Sequence, residues 1–143
     1  MKKTALYPGT FEIFHDGHIN ILKRALKLFD FVYIVVSNNP NKNSTPIEIR
    51  FKNTKDKINE LGTKKVEVIL NNGLLSDIAL KLNSYYIIRG VRNRKDLTYE
   101  MDLFYSYKKY LNSLEVVLFF SEEKYVNVSS SNLIKNKGCK YEK

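Results

Sequence analysis

The chain has 143 residues, of which 43% are hydrophobic and 27% are charged. This composition excludes a disordered chain and a membrane-spanning one, and the length predicts a single domain over residues 1–143. The single cysteine, Cys139, excludes an internal disulfide, and the run from Thr4 to Tyr7 is too short for a signal-peptide core, so we expect a cytoplasmic protein. The formal net charge of +9 fits either nucleic-acid binding or a lysine-rich surface with a site for small anions. Because the lysines are spread along the whole chain, we favour the second and expect neither nucleic acid nor a membrane as a partner.

Strand-like and helix-like patterns alternate along the chain. Short apolar runs predict five strands, over residues 4–7, 31–36, 66–70, 85–88 and 116–120. Apolar residues at steps of three and four predict helices over residues 17–29, 47–61, 75–82 and 97–111, followed by a short one over 130–135. Asp16 is expected to cap the first helix, and Gly62 is expected to close the second.

This alternation predicts the fold class. Strands joined by helical crossovers form a parallel sheet with helices on both faces. We therefore predict an α/β fold with a Rossmann-like, doubly wound, five-stranded parallel sheet in a single domain. In such sheets ligands bind at the carboxyl ends of the strands, near the point where the strand order reverses. The loops that follow the strands are therefore the candidate site.

The loop after the first strand holds both histidines of the chain, His15 and His18. They lie where a strand gives way to a helix, and a helix N-terminus beside an imidazole suits a phosphate group. Gly9 and Gly17 are expected to leave room for a ligand near the backbone. His15, Asp16 and His18 also suggest a metal site, but two imidazoles without a nearby cysteine make us expect no metal ligands from the protein.

Four segments together resemble a known family. The segment Tyr-Pro-Gly-Thr-Phe at residues 7–11, followed by His-Asp-Gly-His at 15–18, is similar to the T/H-x-G-H signature of nucleotidyltransferases. Residues 89–92 with 96–100 resemble an R-G-x-R…D-x-x-Y-E block, and residues 128–131 with Lys135 resemble a C-terminal serine signature. Lys42 falls in the lysine-bearing loop after the second strand. Occurring in order over nearly the whole chain, these segments resemble the bacterial phosphopantetheine adenylyltransferase family.

The resemblance implies an activity and its partners. The family transfers the adenylyl group of ATP to 4′-phosphopantetheine, which gives dephospho-coenzyme A and pyrophosphate in the penultimate step of coenzyme A synthesis. It implies Mg²⁺ carried with ATP and a homo-oligomer, a hexamer in the family. The acceptor phosphate is already anionic, so the reaction requires alignment and charge stabilisation rather than a general base.

The resemblance also implies roles for individual residues. The catalytic group is His18, Lys42 and Arg92, with His18 as the main donor to the α-phosphate. ATP is expected to contact Thr10, Phe11, His18, Gly90, Arg92, Glu100, Tyr125, Ser129, Ser130 and Ser131. Phosphopantetheine is expected to contact Thr10, Lys42, Leu74, Arg89 and Leu103.

Several of these positions have a second interpretation. His15 either contacts phosphate or shapes its loop, and Glu100 either lies near the ATP ribose or is a helix-surface carboxylate. The three serines serve equally as a helix cap, and Leu74 and Leu103 serve equally as core residues. Tyr107 stands where the family commonly has asparagine, which puts a pantetheine contact there in question.

Two other functions compete with the main hypothesis. One is a sister nucleotidyltransferase that acts on another phosphate acceptor, which the block containing Arg89 and Arg92 disfavours. The other is a catalytically silent, basic RNA-binding protein. The presence of His18, Lys42 and the serine triplet disfavours that alternative.

Overall fold

Five parallel strands form one sheet, in the order β3-β2-β1-β4-β5, in the computed structural model, which describes residues 2–39 and 45–127. The strands are β1 (Thr4–Gly9), β2 (Phe31–Ser37), β3 (Val66–Asn71), β4 (Tyr86–Val91) and β5 (Glu115–Phe120). The helices are α1 (Asp16–Ala25), α2 (Ile47–Leu61), α3 (Leu75–Leu82) and α4 (Arg94–Tyr110), followed by a 3₁₀ turn over Glu123–Tyr125. The predicted α/β class and the five-stranded parallel sheet are confirmed.

Most element boundaries agree with the sequence prediction to within one residue. Helices α2 and α3 have the predicted bounds, and Gly62 ends α2 with φ of +67°, as expected for a left-handed C-cap. Helix α1 is shorter than predicted, because the chain tightens after Ala25 into bonds such as Leu28 N–H to the Ala25 carbonyl. Phe29 is still buried by this turn, so the apolar periodicity that predicted a longer helix reports packing rather than helix length.

The core lies on both faces of the sheet. Helices α1 and α2 cover one face, where Ile21, Leu22 and Ile58 pack against β-strand residues such as Ile34. Helices α3 and α4 cover the other face, where Ala79 and Leu111 pack with Leu6, Val35 and Ile87. Strand β2 is buried along most of its length, as its β-branched run predicts.

The strand order defines where a ligand fits. The chain moves from β1 to β2 and β3 on one side, and then crosses back to place β4 on the other side of β1. Strand order therefore reverses between β1 and β4, and a crevice is expected outside their carboxyl ends. The loop from Thr10 to His15 follows β1, and Arg92 follows β4.

Some predicted features lie outside the described residues. These are Lys42, the serines at 129–131, Lys135 and the predicted helix over 130–135. Within the part of the chain that the structure describes, no helix combines the length and the apolar character that crossing a bilayer requires.

Candidate active site

The two histidines begin helix α1 and cap it reciprocally. His15 is the N-cap, and its Nδ1 accepts a hydrogen bond from the Gly17 N–H at 3.1 Å. In return, the His15 N–H donates to Nδ1 of His18 at 3.1 Å. The prediction that Asp16 caps the helix is wrong, because the imidazole of His15 occupies that position and Asp16 is the first helical residue. The carboxylate of Asp16 still lies at the positive end of the helix, where a negative charge is favourable.

This cap fixes the protonation pattern of both rings. A neutral imidazole has one N–H donor and one acceptor nitrogen, and in each ring Nδ1 is the acceptor of a backbone N–H. The proton of each neutral ring is therefore on Nε2. His18 thus offers an N–H donor, and not a lone pair, at the tip of its ring.

The half-buried ring of His18 lies among aromatic rings. Its ring is stacked on His15 with centroids 3.8 Å apart and on Phe14 at 5.2 Å, and Phe11 meets it edge-on at 5.1 Å. Burial, reinforced by the ring of His15 and by Arg89 and Arg92, lowers the pKa of His18 well below 6.5. Burial and the charge of Arg92 lower the pKa of His15 to about 4. Both rings are therefore neutral at pH 7.

The glycines of this loop accommodate rings rather than leaving open space. A Cβ on Gly9 would lie 2.9 Å from Cζ of Phe11, and a Cβ on Gly17 would lie 2.9 Å from Cε1 of His15. The expectation that these glycines leave room for a ligand is therefore wrong. Phe11 itself has φ of +47°, a left-handed conformation that non-glycine residues seldom adopt, and this turns its buried ring beneath His18.

Arg89 lies within β4, because this strand continues to Val91, whereas the predicted strand ends at residue 88 and places Arg89 after it. Its guanidinium makes a two-pronged ion pair with Glu100 of α4, with Nε and NH2 each 2.8 Å from a carboxylate oxygen. Its NH1 donates to the Pro8 carbonyl at 2.8 Å, which ties β4 to the end of β1. Although burial acts to lower the pKa of Arg89, the hydrogen bonds and charge of Glu100 outweigh it and raise that pKa. Arg89 is therefore a fixed cation at the switch point.

The environment of Glu100 bears on its predicted contact with the ATP ribose. Glu100 is 5% exposed, so it is not the helix-surface carboxylate of the second interpretation. Both of its oxygens accept from Arg89. The ribose contact stays a prediction, and it would require the Glu100 oxygens to accept hydrogen bonds from both Arg89 and the ribose. Tyr107 lies near the same pair, and burial, partly offset by Arg89, raises its pKa above 10.

Arg92 is held by Asp96 across the start of α4. Asp96 accepts from the backbone N–H of Arg92 at 3.0 Å and from Nε at 2.9 Å, while Asn93 caps the helix through the Asp96 N–H. Burial acts to raise the pKa of Asp96, but the hydrogen bonds and charge of Arg92 lower it below 3.8. Gly90, next to this turn, would place a Cβ 3.4 Å from Cγ1 of Ile21. Its lack of a side chain therefore lets α1 pack closely on β4.

The other predicted residues are more dispersed. Thr10 and Tyr125 are half-buried near the start of α1, and the Tyr125 Cβ is 3.9 Å from the Cβ position of Gly17. Leu74 precedes α3 and is 47% exposed, which excludes a core role. Leu103 is half-buried on α4. The structure thus gathers Thr10, Phe11, His18, Arg89 and Arg92 around the ends of β1 and β4.

Three residues beside the site had no role assigned from the sequence. Glu12 and Arg50 were not among the candidate residues, and Asp96 entered only as part of the D-x-x-Y-E block. Arg50 lies on the buried face of α2 with Ile47, Thr54 and Ile58. The residues of that face recur at helical spacing, so a charged residue among them was the signal that could have identified Arg50.

The site is rich in hydrogen-bond donors, and the two carboxylates beside its arginines are both paired. The Nε2–H of His18 and the guanidinium groups of Arg89 and Arg92 supply donors, while Glu100 and Asp96 are bound to the two arginines. Among the described residues, no group of three histidines, cysteines or acids is arranged to hold a metal ion. Such a site stabilises negative charge on a bound phosphate.

Comparison with known proteins gives a consistent picture. The family model described as cytidylyltransferase-like matches residues 6–136. The chain is 51% identical to a phosphopantetheine adenylyltransferase from Malacoplasma penetrans, over 96% of this chain and 92% of that protein. It is 38% identical to the enzyme of the same name from Borrelia duttonii, over 94% of this chain and 84% of that one. Among solved structures, the nicotinic acid mononucleotide adenylyltransferase of Plasmodium falciparum has a TM-score of 0.65 at 17% identity, with 94% of this chain and 83% of that one covered. This last likeness concerns the fold alone.

Proposed function

The chain belongs to the cytidylyltransferase-like family and, within it, to the phosphopantetheine adenylyltransferases, and we propose that it transfers the adenylyl group of ATP to 4′-phosphopantetheine. The products are dephospho-coenzyme A and pyrophosphate, and the reaction is the penultimate step of coenzyme A synthesis. The observation that carries the proposal at the site is the fixed Nε2–H of His18 beside two paired arginines, at the switch point of a parallel sheet.

The chemistry follows from these groups. An oxygen of the acceptor phosphate attacks the α-phosphorus of ATP and forms the new O–P bond, while the bond from that phosphorus to the bridging oxygen breaks and pyrophosphate leaves. No proton has to be removed from the nucleophile. The protein's contribution is to align the two phosphates and to stabilise the charge that shifts onto the α-phosphate and the leaving group.

His18 supplies the donor at the α-phosphate. Because its ring is neutral, the Nε2–H of His18 donates a hydrogen bond to the phosphate and keeps its proton throughout the reaction. Because the ring is held by a cap and by Phe11 and Phe14, little reorganisation is needed at the moment of reaction.

The arginines divide the remaining charge. Arg89, fixed by Glu100, is assigned to the acceptor phosphate, and Arg92, fixed by Asp96, is assigned to the phosphates of ATP. The planar fork of a guanidinium suits phosphate oxygens in both roles. Lys42 and the serines at 129–131, which lie outside the described residues, complete the proposed site on the strength of the family resemblance.

Mg²⁺ enters this proposal as part of the substrate. In ATP reactions the ion is held mainly by substrate phosphates with few protein ligands. The two carboxylates beside the arginines, Glu100 and Asp96, are bound to them, so we assign the ion to the phosphates of ATP rather than to a protein side chain.

The assembly and compartment are proposed on the same basis. The family resemblance implies a homo-hexamer, and exposed apolar side chains on α4, at Tyr99, Met101, Tyr105 and Tyr110, are consistent with burial between subunits. Sedimentation equilibrium tests this assignment, and a monomer at micromolar concentration would contradict it. We also assign the protein to the cytoplasm, where coenzyme A synthesis draws on ATP.

One assay separates the candidate functions. Pyrophosphate release is measured with ATP and, in turn, 4′-phosphopantetheine, nicotinate mononucleotide and glycerol 3-phosphate, with His18→Ala as the matched control. We expect turnover with phosphopantetheine alone and a loss of about 10²–10³ in kcat for the variant. Turnover with another acceptor would support the sister transferase. Salt-sensitive RNA binding without pyrophosphate release would support the RNA-binding alternative.

A further inference from the structure

Arg50 of α2 is buried with 1% of its surface exposed, although it is charged. Its NH1 donates to the Thr10 carbonyl at 2.6 Å and to the Ser37 carbonyl at 2.8 Å. Its Nε donates to the Thr45 carbonyl at 2.7 Å, and its NH2 donates to Oδ1 of Asn38 at 2.5 Å. One side chain therefore joins the loop after β1, the end of β2 and the segment that leads into α2.

Glu12 completes this junction from the other side. Its Oε1 accepts from the Thr45 N–H at 2.8 Å and also from the Thr45 hydroxyl. Its Oε2 is buried without a hydrogen bond in the described residues and lies 3.9 Å from Nε of Arg50. The Glu12 carboxylate thus balances the charge of the buried Arg50 guanidinium, and both side chains bind Thr45.

The bond from Arg50 to Thr10 acts on the peptide that precedes Phe11. Phe11 has φ of +47°, and this conformation places its ring 5.1 Å from His18 and fills the space above Gly9. A left-handed phenylalanine persists only when its surroundings hold it there. The hydrogen bond from Arg50 to the Thr10 carbonyl orients this peptide.

We propose that Arg50 is a positioning residue for His18, acting through the Thr10–Phe11 turn, with Glu12 as its partner. Arg50 is buried behind the loop, so its role is to hold the turn rather than to touch substrate. The proposal rests on the assignment of His18 as the donor to the α-phosphate. It deepens that assignment by identifying what keeps the ring in place.

The geometry requires a guanidinium and not merely a positive charge. Three of its nitrogens donate in three directions to four acceptors. A lysine ammonium at this position keeps the charge but cannot span the same acceptors from one planar group. Arg50→Lys therefore separates the role of the fork from that of the charge.

The experiment compares Arg50→Lys and Arg50→Met with Lys57→Met, a change of an exposed cation on the same helix. We expect both Arg50 variants to lower kcat about 10- to 100-fold, with the KM for ATP changed much less, because a small misplacement of a catalytic group has that effect. The Lys57→Met enzyme is expected to match the wild type. Folded Arg50 variants with wild-type kcat, or with a change in KM alone, would overturn the proposal.

A second readout does not depend on activity. In wild-type protein the ¹⁵N shifts of His18 should report a single tautomer with the proton on Nε2, and in Arg50→Lys they should move towards the average of two tautomers. An unchanged single tautomer in folded Arg50→Lys would contradict the proposal. If the wild type shows the single tautomer but no turnover with phosphopantetheine, the proposed function fails. The tautomer of His18 in Arg50→Lys then still tests whether Arg50 positions this ring.

Two milder variants cover the case in which Arg50 substitutions fail to fold. Glu12→Gln removes the balancing charge, and Thr45→Val removes the hydroxyl that Glu12 holds. We expect each to lower kcat about 3- to 10-fold with a smaller effect on KM, since each loosens the junction without removing it. Wild-type kcat in both folded variants would overturn the proposal.

Discussion

The rings of His15 and His18 are stacked with centroids 3.8 Å apart, and each accepts a backbone N–H at Nδ1 from the same turn of the chain. Protonation of either Nδ1 would break a capping bond and place a charge against the other ring. The pair therefore performs a structural task and a chemical one with the same protonation state, since the neutral ring that caps the helix also exposes an Nε2–H donor.

The first prediction concerns stability at low pH. The pKa of His15 is lowered to about 4 and that of His18 well below 6.5, whereas both are near 6.5 in the unfolded chain. Between pH 6.5 and 4 the unfolded chain therefore binds protons that the folded protein does not, so the free energy of unfolding should fall as the pH falls through this window. Above pH 6.5 the two histidines should contribute no pH dependence.

Urea denaturation at pH values from 7.5 to 4.5 measures this effect. The control is His15→Asn, because asparagine keeps an acceptor for the Gly17 N–H but does not titrate. The difference in free energy of unfolding between wild type and variant should shrink with falling pH as the wild type loses stability. A constant difference across the range would show that His15 titrates normally in the folded protein.

The second prediction separates the two nitrogens of His18. Glutamine places an amide N–H near the position of Nε2, whereas asparagine can replace only Nδ1. Because the donor is on Nε2, His18→Asn should lower kcat about 10²–10³-fold, as removal of a preorganised donor does. His18→Gln should retain more activity than His18→Asn, and steady-state kinetics at pH 7.5 compares them. Equal or greater activity of His18→Asn would contradict the assigned tautomer.

The third prediction concerns Asp96, which holds the guanidinium of Arg92. Asp96→Asn removes the charge from this hydrogen bond, which is worth on the order of 1 kcal/mol, so we expect the KM for ATP to rise about fivefold. Asp102→Asn, an exposed change on the same helix, is the control and should leave KM unchanged. A larger effect on phosphopantetheine than on ATP would reverse the assignments of Arg92 and Arg89.

The fourth prediction concerns the free energy of unfolding alone. Thr54 of α2 is fully buried, and within residues 2–39 and 45–127 its hydroxyl has no hydrogen-bond partner. Thr54→Val replaces that hydroxyl with a methyl group of similar size, so it should raise the free energy of unfolding by about 1 kcal/mol. Thr98→Val is the control, because the Thr98 hydroxyl is exposed and donates to the Arg94 carbonyl. A loss of stability in Thr54→Val would mean that the hydroxyl is satisfied in solution.

The family and the fold could both be predicted from the sequence. Periodicity located all five strands and the four helices of the described region, because the spacing of apolar residues reflects whether a helix or strand is buried on one face or on both. The motifs around His18, Arg89 and Arg92 identified the family, which the cytidylyltransferase-like match over residues 6–136 and the 51% identity to a phosphopantetheine adenylyltransferase together confirm. Motifs carry this information because a phosphate site on a strand-to-helix turn requires particular residues at fixed spacing.

The sequence by itself thus determined the elements and their alternation, since these depend on neighbours within a few residues. Helical crossovers then require a parallel sheet, which places the loops after the strands at one edge. Only the tertiary structure decided that His15 and not Asp16 caps α1, that Glu100 is bound to Arg89, and that Arg50 grips Thr10 from 40 residues away. Each of these is a choice among several nearby donors and acceptors. Differences of a few tenths of an ångström in donor–acceptor distance settle each choice. For Arg89 and Arg50 the partners lie on separate elements that only the folded core brings together.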